Sequence, residues 1–178
     1  MARPAGKVRA PRRIVVLLDA SAPGRAALAA AAARAAELEA ELVAVFVEDA
    51  DLLNVAGLPF AREIGFASAM SRTMDAAAME RSLRALAEEA RRSVESIAKR
   101  KPLQWSFHVA HGMLSEEMLS VAAEADLVVE ALCGNERAAL QLAEICRDSE
   151  HAHLVRARTR REVEALRKEL EKRELQQR

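Results

Sequence analysis

RRIVVLLDASAPGRAALAAAAARAAEL, residues 12–38, decides the fold. Ile14, Val15, Val16, Leu17 and Leu18 are five consecutive apolar residues, and Asp19 ends the run. An unbroken apolar run of this length fits a strand buried on both faces, which belongs to a parallel sheet covered by helices on either side. A short loop, Ala20-Ser21-Ala22-Pro23-Gly24, leads into an Ala-rich helical pattern over residues 26–40, with Leu28, Ala31, Ala35 and Leu38 on one face. Asp19 stands where the strand ends, and open α/β sheets hold their ligands beyond the carboxyl ends of the strands.

The same rhythm continues along the chain. ELVAVFVE (41–48) reads as a second buried strand, and residues 75–100 as an amphipathic helix carrying Met79, Leu83, Leu86, Ala90, Val94 and Ile97, with Pro102 as its stop. WSFHVA (105–110) is a third strand. Ser115 caps the next helix, whose first turn holds Glu116 and Glu117. DLVVEAL (126–132) is a fourth strand, residues 136–147 a helix, and AHLVR (152–156) a weaker fifth strand. The alternation predicts an α/β domain over 12–158: a doubly wound, five-stranded parallel sheet with right-handed crossovers.

Three segments fall outside the rhythm. Residues 1–11 carry Arg3, Lys7 and Arg9 among Pro and Gly, and are expected to be a disordered basic tail. Residues 51–74 hold Leu52, Leu53, Val55, Leu58, Phe60, Ile64, Phe66 and Met70, too apolar for a solvated loop. They form either a short helix or hairpin packed over the sheet's end, or a lid or partner surface. Residues 159–178 are dominated by charge, with Glu164–Lys168 and Glu169–Arg173 four apart and a narrow seam of Val163, Leu166 and Leu170. They predict a charged, solvated C-terminal helix, with pairing to a partner helix as the alternative.

The formal net charge of the 178 residues is zero, which gives no global field for nucleic acid or an anionic membrane. No stretch approaches the apolar length needed to span a bilayer. The two cysteines, Cys133 and Cys146, lack metal-type spacing and read as small buried hydrophobes in a reducing, cytoplasmic setting. The histidine pairs His108/His111 and His151/His153 have no evident third ligand. No G-x-S-x-G elbow and no Walker A run occurs, and nothing assembles a catalytic triad, so no enzymatic activity is expected. Glu130, inside a central strand, calls for an ion pair with an arginine or, alternatively, a cation site shared with Asp19.

IVVLLDAS, ELVAVFVED and HVAHGMLSEEMLSVAAEADLVVEALCG, the last spanning residues 108–134, resemble in order and spacing the first four strands of the universal stress protein family. Nucleotide-binding members resemble one another in a G-x2-G-x9-G-[ST] run after the fourth strand, where glycines let backbone N–H groups approach phosphates. Laid on this chain the run becomes Ala131, Gly134, Glu144 and Ile145, so only Gly134 survives. On this reading Glu130 and Glu144 set carboxylates against a phosphate, and Arg25 and Arg137, the nearest in sequence to the loops after the first and fourth strands, are the cations that could neutralise them. The resemblance leaves Asp19, Ala20, Val47, His111, Gly112 and Gly134 as residual pocket residues. It implies a homodimer and a regulatory or interaction domain without a cofactor, contacting protein partners through 51–74 or the C-terminal helix. An adenine-nucleotide sensor holding ATP or AMP on an atypical loop is the alternative.

Overall fold

A computed structural model describes residues 12–65 and 67–175, so the expected basic tail lies outside the described residues. Five strands form one parallel sheet: β1 (Arg13–Leu18), β2 (Glu41–Glu48), β5 (Trp105–His111), β6 (Leu127–Ala131) and β7 (His153–Arg156), in the spatial order β5-β2-β1-β6-β7. The strand order reverses between β1 and β6, as in a doubly wound sheet. The central strands β1 and β6 are buried almost throughout, as their unbroken apolar runs predict.

Alternating strand residues feed two cores. Ile14, Val16, Leu18, Leu42, Ala44 and Phe46 pack beneath α1 (Ala22–Leu38), α3 (Ala76–Ala98) and α6 (Arg160–Leu175). Val15, Leu17, Val43, Val45 and Val128 pack beneath α4 (Glu116–Ala123) and α5 (Glu136–Asp148). The alanines of α1, among them Ala27, Ala31, Ala32 and Ala35, let that helix lie close to the sheet. Helix α1 starts four residues earlier than the sequence pattern suggests. Ser21 is its N-cap, accepting from the Gly24 N–H at 3.1 Å, and Pro23 stands in the first turn, where no intrahelical donor is needed.

Segment 51–74 contains both of the shapes considered for it. Helix α2 (Ala50–Ala56), capped by Asp49, is followed by a hairpin of β3 (Arg62–Ile64) and β4 (Ser71–Thr73). The hairpin leaves Phe60, Ile64 and Met70 more than two-thirds exposed, so it does not bury its apolar residues over the sheet.

The C-terminal helix departs from expectation. Val163, Leu166 and Leu170 are buried in the same core as α1. The seam is the docking face of α6 on its own domain, and only the remaining faces are solvated. Three apolar residues suffice because the facing surface of α1 is built of alanine. No helix among the described residues is long and apolar enough to cross a membrane.

Candidate functional site

The strand ends at the topological switch point form two adjoining clefts. The larger, about 440 Å³, is lined by Asp49, Asp51, His111, Gly112, Gly134 and Arg137, among others. The smaller, about 150 Å³, is lined by Asp19, Ala20, Phe46, Val47, Asp49 and Asn135, among others, and shares Gly134. All six residual pocket residues, Asp19, Ala20, Val47, His111, Gly112 and Gly134, therefore gather around one crevice.

Asp19 bridges the strand ends beside the smaller cleft. Its Oδ2 accepts from the Cys133 N–H, across the gap between the β1 and β6 ends, at 2.5 Å. Its Oδ1 accepts from the Ser21 N–H at 3.0 Å. Gly24 permits this arrangement: a Cβ there would meet the Asp19 carbonyl oxygen at 2.8 Å and Oδ1 at 3.1 Å. On the far side, Gly112 has φ +77°, and a Cβ would stand 2.8 Å from the Ala50 Cβ. This glycine holds the β5 turn against α2, while its N–H donates to the Glu48 carbonyl and its own carbonyl accepts from Asn135 Nδ2. His111 Nδ1 and Glu48 Oε2 lie 2.7 Å apart at the rim.

The segment after β6 corrects the motif reading. Asn135 caps α5, its Oδ1 accepting from the Ala138 N–H, so the helix starts directly after Gly134 with no extended loop between. Glu144 lies in the third turn of α5, about 12 Å along the helix axis from its start, and is exposed outside both clefts. It sets no carboxylate against a phosphate. The Ala131 side chain points into the core beneath α1 and does not intrude on the crevice.

Glu130 is also turned away from the crevice. It is 1% exposed and accepts from Arg158 Nε at 2.8 Å and from the Leu132 N–H at 2.9 Å, with Arg158 Nη2 at 2.6 Å and Arg156 Nε at 3.9 Å. The buried carboxylate holds the Arg158 guanidinium's pKa above its ordinary value, against a smaller opposing effect of burial. The arginine-pair reading of Glu130 thus holds, but the cation comes from the segment after β7. Arg25 donates instead to the Ala20 carbonyl, and Arg137 lines the larger cleft. Glu130 and Asp19 share no cation site, and no group of three or more metal-ligating side chains occurs among the described residues.

Other candidates lie apart. Cys146 is buried, which raises its thiol pKa, whereas Cys133 is exposed and its Sγ donates to the Arg158 carbonyl. His153 bonds to Glu169 of α6, and His108 lies 3.3 Å from the Ser106 hydroxyl. Two crevice residues were not singled out from sequence. Asp49 lines both clefts and caps α2 through the Asp51 and Leu52 N–H groups. Asn135 caps α5, and an Asn directly before a helical run is a signal that the sequence did carry.

No family model and no curated protein matches the chain. Solved structures do resemble it. A universal stress protein in complex with cAMP is 16% identical, covers 84% of this chain and 99% of its own, and has a TM-score of 0.47. A protein from the universal stress protein family of Burkholderia pseudomallei is 23% identical, covers 85% of this chain and 98% of its own, and has a TM-score of 0.46.

Proposed function

We propose that the chain is a universal stress protein-like regulatory domain that binds no ATP, catalyses no reaction, and works through self-association and contacts with protein partners in the cytoplasm. The observation that carries this reading is the Asp19 carboxylate across the switch point. Backbone N–H groups at strand ends are the natural partners of phosphate oxygens. Here the Cys133 and Ser21 N–H groups are spent on a carboxylate of the chain itself. A phosphate entering the smaller cleft has to displace Asp19 or lie against its charge, and in the larger cleft Asp49, Asp51 and Glu136 set negative groups around Arg137. The residues present do not fit a triphosphate. The exposed apolar side chains of segment 51–74, led by Phe60, Ile64 and Met70, offer a surface for protein contact.

A second reading, adenine-nucleotide sensing, draws on cleft size. About 440 Å³ lies within the range of small-molecule sites, and Gly112 and Gly134 line it. Thermal denaturation in the presence of ATP, ADP, AMP and cAMP separates the two. A ligand at 100 times its Kd stabilises by about 2.7 kcal/mol, several degrees for a chain of this size. The proposed function requires no shift with any of the four at millimolar concentration. A saturable shift with any of them establishes the sensor reading.

A further inference from the structure

We propose that the outer face of α2 and the turn leading to the hairpin receive a basic amphipathic segment of a partner protein, its apolar residues on Val55, Leu58 and Phe60 and its cations beside Asp51. The proposal rests on the protein-contact reading above and names the chemistry of the partner.

Segment 51–74 inverts the usual sorting of side chains, in which the large apolar ones go inside. Among its described residues only Ala56 and Ala61 are buried, at 4% and 7% exposed. Leu52, Val55 and Leu58 are each more than two-fifths exposed, and Phe60 is 76% exposed. Six of the nine exposed large apolar side chains among the described residues lie between positions 52 and 70, so the exposure is a local patch rather than scatter.

The patch is preformed. Leu52, Val55 and Leu58 recur at intervals of three and share one face of α2 and its last turn. The Leu58 N–H donates to the Val55 carbonyl at 3.0 Å, and the Ala61 N–H to the Leu58 carbonyl at 3.1 Å, which carries the run on to Phe60. The Met74 N–H donates to the Ala61 carbonyl at 3.0 Å and closes the base of the hairpin. A surface held this way loses little freedom when a partner covers it.

Charge selects the occupant. From 49 to 75 stand Asp49, Asp51, Glu63 and Asp75 against Arg62 and Arg72. Arg72 pairs with Glu63, and Arg62 donates to the Ser71 hydroxyl and carbonyl of its own hairpin. The start of α2 stays acidic: Asp49 and Asp51 line the larger cleft together with Glu136, faced by Arg137. That cleft, about 440 Å³, has room for a lysine or arginine side chain. A second copy brings the same acidic balance and an anionic bilayer the same sign, so both are repelled, whereas a basic segment is attracted. A basic amphipathic helix lays its apolar face on such a patch and keeps its cations at the rim.

Three labelled helical peptides, leucine–lysine, leucine–glutamate and alanine–lysine, added to the full chain and followed by fluorescence anisotropy, test the pairing. The leucine–lysine peptide is expected to bind saturably, and the other two about tenfold more weakly or worse. Phe60→Ser and Asp51→Asn each weaken the leucine–lysine peptide, the second with a flatter salt dependence, and as exposed positions they leave circular dichroism unchanged. If either variant fails to fold, amide shifts in the unaltered chain decide: the leucine–lysine peptide moves Val55, Leu58 and Ile64. Equal binding of the leucine–lysine and leucine–glutamate peptides, with those amides moving, overturns the basic partner while the contact surface stands. Amides that move with none of the three overturn both the partner and the reading of this surface as a protein contact. A dimer that Phe60→Ser dissolves, or a chain carried down by phosphatidylglycerol vesicles, gives the surface to another occupant and overturns the proposal.

Discussion

Asp19 and Cys133 stand 114 positions apart in the chain, yet the Asp19 Oδ2 accepts from the Cys133 N–H at 2.5 Å. The bond ties the loop after β1 to the loop after β6, at the one place where the sheet reverses its winding. Two features make it possible: Gly24 keeps the start of α1 clear of Asp19, and Asn135 starts α5 immediately after the β6 turn. At the switch point of the doubly wound sheet the two strand ends are therefore bridged by the chain's own carboxylate, which lines the smaller cleft.

The buried end of β6 depends on Arg158. Removing one partner of a buried ion pair leaves the other charge uncompensated, at a cost of about 3–5 kcal/mol. Arg158 is about one-third exposed and Arg156 is close by, so Arg158→Ala is expected to lose about 2–3 kcal/mol in urea unfolding. Arg158→Lys, lacking the planar fork, falls between that variant and the unaltered chain. A loss below about 0.5 kcal/mol for Arg158→Ala would show that the pair does not hold β6.

Gly112→Ala is expected to destabilise by about 1–3 kcal/mol. It forces a side chain onto a positive-φ backbone and against the Ala50 Cβ. Chemical denaturation measures the loss, and Gly57→Ala, where the nearest atom to an added Cβ is 3.5 Å away, serves as the tolerant comparison.

Helix α6 belongs to the core. Leu166 is fully buried, and Leu166→Ala is expected to cost about 2–5 kcal/mol. Unfolding monitored at Trp105, which packs against the same core on β5, reports the loss as one cooperative transition with the rest of the domain. A separate early transition for α6 would mark it as an appendage.

Glu37 adds a small acid-side dependence. Hydrogen bonding from Arg34 lowers its pKa below the ordinary glutamate value, burial opposes this, and Lys101 adds to the lowering. A lowered folded-state value means stability that is present above the unfolded pKa, about 4.3, and lost as pH falls through the folded one. Glu37 is nearly half exposed, so the contribution stays below about 1 kcal/mol. The stability difference between the unaltered chain and Glu37→Gln is expected to hold above the ordinary glutamate range and to vanish once pH has fallen through the lowered folded-state value.

The parallel sheet was legible because β1, β2 and β6 are continuous apolar runs, and the crevice because Asp19 ends the first of them. What stayed hidden was set by distance and by counting. Glu130 announced its need for a cation, but Arg158 lies 28 positions away, beyond α5 and β7, and attention to the loops after β1 and β6 pointed to Arg25 and Arg137 instead. Laying a spaced glycine motif onto residues 131–145 presumed a loop, whereas Asn135 already signalled a helix start that carries Glu144 out of the crevice. The seam of α6 looked too narrow to dock because its partner surface is alanine, which offers close approach rather than large side chains. Segment 51–74 was apolar enough to suggest burial, and the hairpin instead exposes much of that surface.

Hydrogen exchange at the Cys133 amide, followed with and without millimolar ATP, tests the self-occupied crevice most directly. A Cys133 N–H held by Asp19 exchanges slowly, is unchanged by ATP, and exchanges faster in Asp19→Ala. Free exchange at Cys133 in the unaltered chain, or a resonance that moves and becomes protected as ATP is added, would contradict it.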